Sequence, residues 1–298
     1  MKSAALLALA AAMGVLHAPA AATRGDSVMT AKEREIAGER PVALWLPQDG
    51  LATSVDIGRL AVDSPGGGLI GWLIITEMDD KREIMSAHAT RDAEKVAQPL
   101  FSALEDFDIE RLALETTQHA LAATTWFHAG PIERMPDVVE SPAEDFVAAQ
   151  TAPQSTFVSY RYQLSPDFTQ IQIMADVSVF DTGTRKEVFA QRFLSSVQLE
   201  KRSYEESANI AQWAAEDGLL AKAALTAGFT RLEGIIPFAL DLDRDTFKNL
   251  TSKKHSKIFA GGFFGPEVLQ DGAGSVLWSD GYIAVQSSEN LLTDRQAS

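Results

Sequence analysis

The stretch SPGGGLIGWLIITEMDDKRE at residues 64–83 carries Gly66, Gly68 and Gly71 at the G-x-G-x-x-G spacing of a dinucleotide-binding turn. In that chemistry the glycines shape a tight turn, let a pyrophosphate approach the backbone and allow a helix to pack closely on a strand. The surroundings do not support the reading. A dinucleotide site needs a second buried strand ending in an acid about twenty residues on. Here the chain reads HATRDAEKVAQ, and Asp92 and Glu94 fall on a charged helical segment. No Gly-Lys-Ser/Thr follows, which removes the phosphate-cradling loop of the Walker type. The sequence therefore assigns no cofactor. The glycines instead lower the steric cost of a turn and let the apolar segment from Leu69 pack near its neighbours. As an exposed loop or helix end, Gly66, Gly67, Gly68 and Gly71 are also the candidate partner-contact residues.

Other reactive side chains form no recognisable site. His88, His119, His128 and His255 include no H-E-x-x-H pair. His119 and His128 can approach across a helix end, but no carboxylate is placed beside them, so surface or packing roles are expected. The run DLDRDTFKNLTS at 241–252 puts Asp241, Asp243 and Asp245 at the first three ligand positions of a calcium loop. Thr246 stands where the sharp turn needs Gly, and Ser252 where a bidentate Glu belongs. A charged helix end or linker is the expectation. There is no G-x-S-x-G elbow and no Ser-x-x-Lys signature. The 41 Asp and Glu residues leave room for a glycosidase-type pair but single none out. Phe157, Tyr160, Tyr162, Phe180, Phe189 and Phe193 cluster in one region. Core or cross-strand pairing is expected for most of them, and an exposed subset would make a ligand or peptide surface.

The ends and composition say where such a chain works. Lys2, an apolar run from Ala4 to Leu16, and Ala-x-Ala sites at Ala18-Pro19-Ala20 and Ala20-Ala21-Ala22 read as a secretory signal over residues 1–22. No Cys follows for lipid attachment and no twin arginine precedes the run, so export in the unfolded state to the periplasm is expected. A chain exported unfolded would have to find any nucleotide after translocation. Cleavage removes Lys2 and no acid, which takes the formal charge from −15 to −16. Such a surface repels phosphate backbones and argues against nucleic acid as a partner. With Cys 0, disulfides, thiolate metal sites and a Cys nucleophile are all excluded. Stability must come from a packed core, which about 275 residues can supply. No later apolar run approaches the ~18 residues of a membrane span, so no anchor is expected after cleavage.

The elements follow from periodicity. Residues 23–40 read as a flexible lead-in, PVALWLP as a first strand, and DIGRLAVDS as a second. From Leu69 the pattern is helical, broken near its end by Pro99 and Asp106 to Asp108, and Asp108 can cap a further helix with Ile109, Leu112, Ala113 and Thr116 on its apolar face. Pro131, Pro136, Pro142 and Pro153 mark a surface connection. Residues 156–200 read as three antiparallel strands. In the middle one Ile171, Ile173, Ala175, Val177 and Val179 alternate with Gln172, Met174, Asp176 and Ser178, a period of two that sends the sets to opposite faces. Ser203 and Glu206 form a capping box before a helix with the stripe Ile210, Trp213, Ala214, Leu220, Ala221, Ala224, Leu225, Phe229 and Leu232, ended or kinked by Pro237. SVLWSDGYIAVQ reads as a small hairpin with Asp280-Gly281 at its turn.

These elements predict an α+β domain, or a mixed α/β one, over residues 41–247. A three-stranded antiparallel meander plus N-terminal strands is flanked by long amphipathic helices. Residues 248–298 are expected as a C-terminal extension with the hairpin and a loose tail. The function expected is that of an exported, non-catalytic envelope accessory or binding protein with an envelope protein as partner. The alternative is a periplasmic hydrolase using carboxylate or unrecognised Ser chemistry.

Overall fold

The computed structural model describes residues 27–54, 75–136, 141–252, 256–260, 262–271, 274–279 and 281–288, with 75–87 in backbone only. In chain order the helices are α1 (Ala31–Arg34), α2 (Ile75–Leu104), α3 (Ile109–Ala123), α4 (Pro142–Ala149), α5 (Glu206–Asp241) and α6 (Arg244–Leu250). The strands are β1 (Arg40–Trp45), β2 (Ala52–Thr53), β3 (Ala129–Arg134), β4 (Gln154–Leu164), β5 (Gln170–Asp181), β6 (Lys186–Gln198), β7 (Lys257–Ala260), β8 (Phe263–Asp271), β9 (Gly274–Ser279) and β10 (Tyr282–Ser288). They form one mixed ten-stranded sheet in the order β3-β1-β4-β5-β6-β10-β9-β8-β7, with β2 beside β4. β1 runs parallel to β3 and β4, and β10 parallel to β6; β4-β5-β6 and β7-β8-β9-β10 are antiparallel meanders. The fold is mixed α/β, built around the expected meander.

Alternation decides which face is covered. Ile171, Ile173, Ala175, Val177 and Val179 are buried on the inner face, while Gln172, Met174, Asp176 and Ser178 stay half-exposed on the outer one. α2, α3 and α5 lie over the inner face and add Leu100, Leu121, Ile210, Trp213, Leu225 and Phe229 to a single core. Burial of each large side chain of this kind is worth about 1.5–3 kcal/mol. Gly228 lets α5 sit close to the sheet: a Cβ there would fall 2.2 Å from Ile173 Cδ1 and 3.7 Å from Ser195 Oγ. A second, smaller cluster of Ala43, Met135, Phe146, Val147 and Phe157 forms where α4 packs against the outer face of β1 and β4.

Several local expectations need correction. The lead-in is not free from Ser27 onward: Val28 and Met29 are buried, and Thr30 and Glu33 form a capping box for α1. The buried Arg40 explains the docking. Its Nε donates to Gln154 Oε1 at 2.7 Å and its Nη2 to the carbonyls of Arg34 and Ile36 at 3.3 and 3.0 Å, so one guanidinium ties the end of α1 to β4. The Pro-rich connection carries edge strand β3 and α4, held by Met135, Phe146 and Val147. Pro99 lies inside α2 and Pro237 inside α5; α5 is broken instead at residues 215–218. The Ser203–Glu206 capping box is absent. Helix α5 starts from Glu205 with no side-chain cap, and Asn209 Oδ1 accepts from Ser203 N at 2.8 Å while Ser203 Oγ accepts from Glu205 N at 3.0 Å. Asp108 does cap α3, accepting from Arg111 N at 2.9 Å. The C-terminal stretch contributes four strands to the main sheet, and β9 and β10 are the expected hairpin. The strand expected at DIGRLAVDS and the start of the helix at Leu69 lie outside the described residues.

Two glycines of α5 should respond in opposite directions. Gly228→Val forces a branched side chain into the Ile173 contact and should cost about 2–3 kcal/mol in denaturant unfolding. Gly234→Ala, where a Cβ would meet nothing within 4 Å, should gain about 0.5–1 kcal/mol from helix propensity.

Candidate interaction surface

The candidate contact residues Gly66, Gly67, Gly68 and Gly71 lie outside the described residues. The other singled-out groups are placed, and most are engaged in structure. His119 Nδ1 sits 3.3 Å from Glu233 Oε1, so α5 supplies the carboxylate that sequence could not position, while Thr116 Oγ1 reaches the same oxygen at 3.5 Å. His88 is exposed, and His255 is outside the described residues. Asp243 caps α6, accepting from Asp245 N, Thr246 N and Thr246 Oγ1 at 2.6–2.9 Å, which replaces a loop conformation with a helix start. Asp241 Oδ1 accepts from Trp126 Nε1 at 2.8 Å. Among the described residues no three His, Cys, Asp or Glu side chains gather closely enough to hold a metal. Of the clustered aromatics, Phe157, Tyr160, Tyr162, Phe189 and Phe193 are core; Phe180 is half-buried.

Two surfaces remain. The first is the outer face of β4, β5, β6 and β10, which no described helix covers beyond the α4 corner. Register brings its polar side chains into rows. Gln163 donates to Gln172 and Gln172 to Gln170, each at 3.2 Å, and Gln286 donates to Gln198 at 2.6 Å. One row over, Asp176 accepts from Arg161 Nη2 at 3.0 Å and Arg192 Nε at 2.9 Å, and the Arg192 guanidinium lies 5.8 Å from the Tyr282 ring. Burial alone would lower the Arg192 pKa; the Asp176 carboxylate and Tyr282 outweigh it, and the net direction is up. These groups already satisfy one another, so the face presents few unmet hydrogen bonds.

The second surface is the far edge. β7 pairs only with β8 among the described strands, so its outward backbone groups have no strand partner. Phe259 and Phe264 face each other across this hairpin and are 73% and 59% exposed, with Lys257 Nζ 5.8 Å from the Phe264 ring. Buried Gly265, Pro266 and Val268 anchor the hairpin base, and Phe247 of α6 packs edge-to-face on Trp278 of β9 at 4.8 Å. The opposite edge differs: β3 carries Pro131, Glu133 and Arg134, which blunt strand addition. Sequence reasoning does not find the β7 edge because KIFAGGFF lies in the C-terminal extension with no element assigned to it. Its signal was two short apolar runs around a glycine pair.

A shallow cleft of about 450 Å³ lies beside Arg34, Ile36, Trp126 and His128. The Trp126 ring is 5.5 Å from Arg34 Cζ and 5.4 Å from Arg40 Cζ, and Arg34 donates to the carbonyls of Asp241 and Leu242. These walls hold the N-terminal strap to the end of α5.

Among the described residues, the carboxyls of Asp167, Asp181 and Asp243 have pKa values displaced downward. At Asp167 burial pushes upward, but hydrogen bonds from Ser165 Oγ at 2.6 Å and Thr169 Oγ1 at 2.9 Å win. At Asp181 the Thr184 hydroxyl and N–H lower it, and at Asp243 those of Thr246 do.

Neither a protein-family profile nor a curated protein sequence matches this chain. Among solved structures, a PelC dodecamer from Paraburkholderia phytofirmans is similar at 11% identity and a TM-score of 0.22, over 71% of this chain and 94% of that one. The hypothetical protein CT253 from Chlamydia trachomatis is similar at 11% identity and a TM-score of 0.22, over 67% and 98%.

Asp167 gives a pH test. Its lowered folded pKa means that its stabilisation is present above the unfolded carboxyl range and fades as pH falls through the folded value. Asp167→Asn should cost about 1 kcal/mol at pH 7. The difference from the parent should shrink below about pH 4 in urea titrations.

Proposed function

We propose that this chain is a non-catalytic binding or accessory protein of the cell envelope, which meets a protein partner by strand addition at β7. The envelope location rests on the secretory pattern of residues 1–22. No described helix is long and apolar enough to cross a membrane, which is compatible with that placement.

The observation that carries the binding role is the exposed Phe259–Phe264 pair on an unpaired edge. An extended partner segment laid along β7 would pair with its free N–H and C=O groups and cover the rings with an apolar side chain. Exposed aromatics beside an open edge carry an aggregation hazard unless a partner or charge protects them. Asp167, Asp181 and Asp243 serve as turn and cap acceptors.

The test places a photo-crosslinking phenylalanine analogue at Phe259 in cells that make the full chain. One discrete adduct to another envelope protein is expected, and Phe264→Ser in the same chain should reduce it about ten-fold with no change in melting temperature. An adduct between copies of this chain only, or none at all, would overturn the reading.

A further inference from the structure

Helix α5 is broken at a place where its sequence supplies no proline. Ala215 turns to ψ 147°, and Glu216, Asp217 and Gly218 then take φ of 52°, 57° and 71°. Only the glycine adopts that conformation without steric cost; Glu216 and Asp217 place Cβ against the backbone. Such strain persists only where the surroundings impose it.

The surroundings here are two separate anchorages. Residues 206–214 are held at the β4–β5 turn: Trp213 Nε1 donates to Phe168 O at 2.9 Å, and Asn209 Nδ2 to Asp167 O at 2.9 Å. Residues 219–241 are held on the sheet through the Gly228 contact with Ile173. Between them Gly218 presses on α2, where a Cβ would fall 3.1 Å from Ala103 Cβ.

The apolar pattern nevertheless suits an unbroken helix. At about 100° per residue, Ile210, Trp213, Ala221, Ala224, Leu225 and Leu232 would share one stripe. Asp217 would then lie within roughly 20° of the Ile210–Gly228 line, at the centre of the apolar face. In the broken helix its side chain is 86% exposed and accepts from Lys222 Nζ at 2.8 Å. The break thus removes one carboxylate from the face that covers the sheet, at the expense of two strained residues.

We propose that α5 is a two-state element in which residues 206–214 can leave the β4–β5 turn and realign with residues 219–241 as one continuous helix, with Asp217 holding the broken state. The continuous state relieves Glu216 and Asp217 and restores backbone hydrogen bonds across residues 215–218, while it withdraws Trp213 from Phe168 O. Residues 206–214 are the moving part, because residues 219–241 form the layer over the sheet.

Substitutions at Asp217 of the full chain bias the two states in opposite directions. Asp217→Leu suits the apolar stripe and tolerates the left-handed conformation poorly. Asp217→Gly relieves the strain of the broken state. Hydrogen exchange of the Trp213 indole N–H, normalised to the backbone amides of residues 224–232, reads the equilibrium. Asp217→Leu should accelerate it about ten-fold and give the amides of residues 216–219 new protection, while Asp217→Gly should slow it about five-fold. Equal or same-direction shifts in the two variants, or residues 216–219 left unprotected in Asp217→Leu, would overturn the proposal. If Asp217→Leu fails to fold, the sign of the Asp217→Gly shift decides alone.

Discussion

The fold depends on one contact distance, that between α5 and the inner face of the central meander. Ile173 of β5 and Ser195 of β6 meet α5 at Gly228, the position where the helix has no side chain to hold it off. This close approach lets Leu225, Phe229 and Leu232 join the buried core over the sheet. The last strand of the C-terminal meander, β10, joins β6 in parallel, and because β9, β8 and β7 alternate in direction from it, the strand that follows the helices, β7, runs opposite to β6. The last four strands then extend the sheet while staying in the same core through Val268, Val276, Ile283 and Val285.

One face covered and one face open is a common outcome for a sheet with antiparallel meanders, and the chain handles the open face by pairing its own side chains. The glutamine rows and the Arg161–Asp176–Arg192 group spend hydrogen-bond capacity internally. A partner docking there would have to displace those bonds before making its own. The β7 edge imposes no such exchange, because among the described residues its outward backbone groups have no strand partner and Phe259 and Phe264 stay largely exposed. The contrast between the two surfaces, rather than the extent of either, favours the edge as the place of contact.

Elements whose signal is local were legible in the sequence. Strict alternation from Ile171 to Val179 identified β5 and its buried face, Asp108 identified the start of α3, and the stripe from Ile210 to Leu232 identified α5. What escaped depended on distant partners. The capping residues before α5 were misread because Asn209, four positions inside the helix, takes the bond expected of Glu206. The break in α5 has only Gly218 as a local signal; its other contacts, at Phe168 and Ala103, are ones that only the folded chain brings near. Likewise β3 and β7 are too short and too rich in Pro, Gly or Lys to read as strands until β1 and β8 lie beside them. At the candidate surface, the clustered aromatics are mostly core as expected, and the exposed ones, Phe259 and Phe264, lie in the C-terminal extension where the sequence assigns no element.

Arg40 shows how such long-range dependence links the ends of the domain. A buried guanidinium is costly to desolvate, and burial pulls its pKa below the ordinary value without removing the charge. The compensation comes from carbonyl oxygens at the end of α1, the Gln154 amide, and the rings of Trp126 and Phe127 at 5.4 and 5.3 Å. The carbonyls of Arg34 and Ile36, at and just beyond the end of α1, supply partial negative charge to the guanidinium. Trp126 is in turn bonded to Asp241 at the end of α5, and Arg34 to the carbonyls beside it. The first strand, the α3–β3 corner and the end of the longest helix therefore share one polar assembly. Loosening the strap at residues 27–40 exposes a charge that these partners were holding, and so the N-terminal segment behaves as part of the domain.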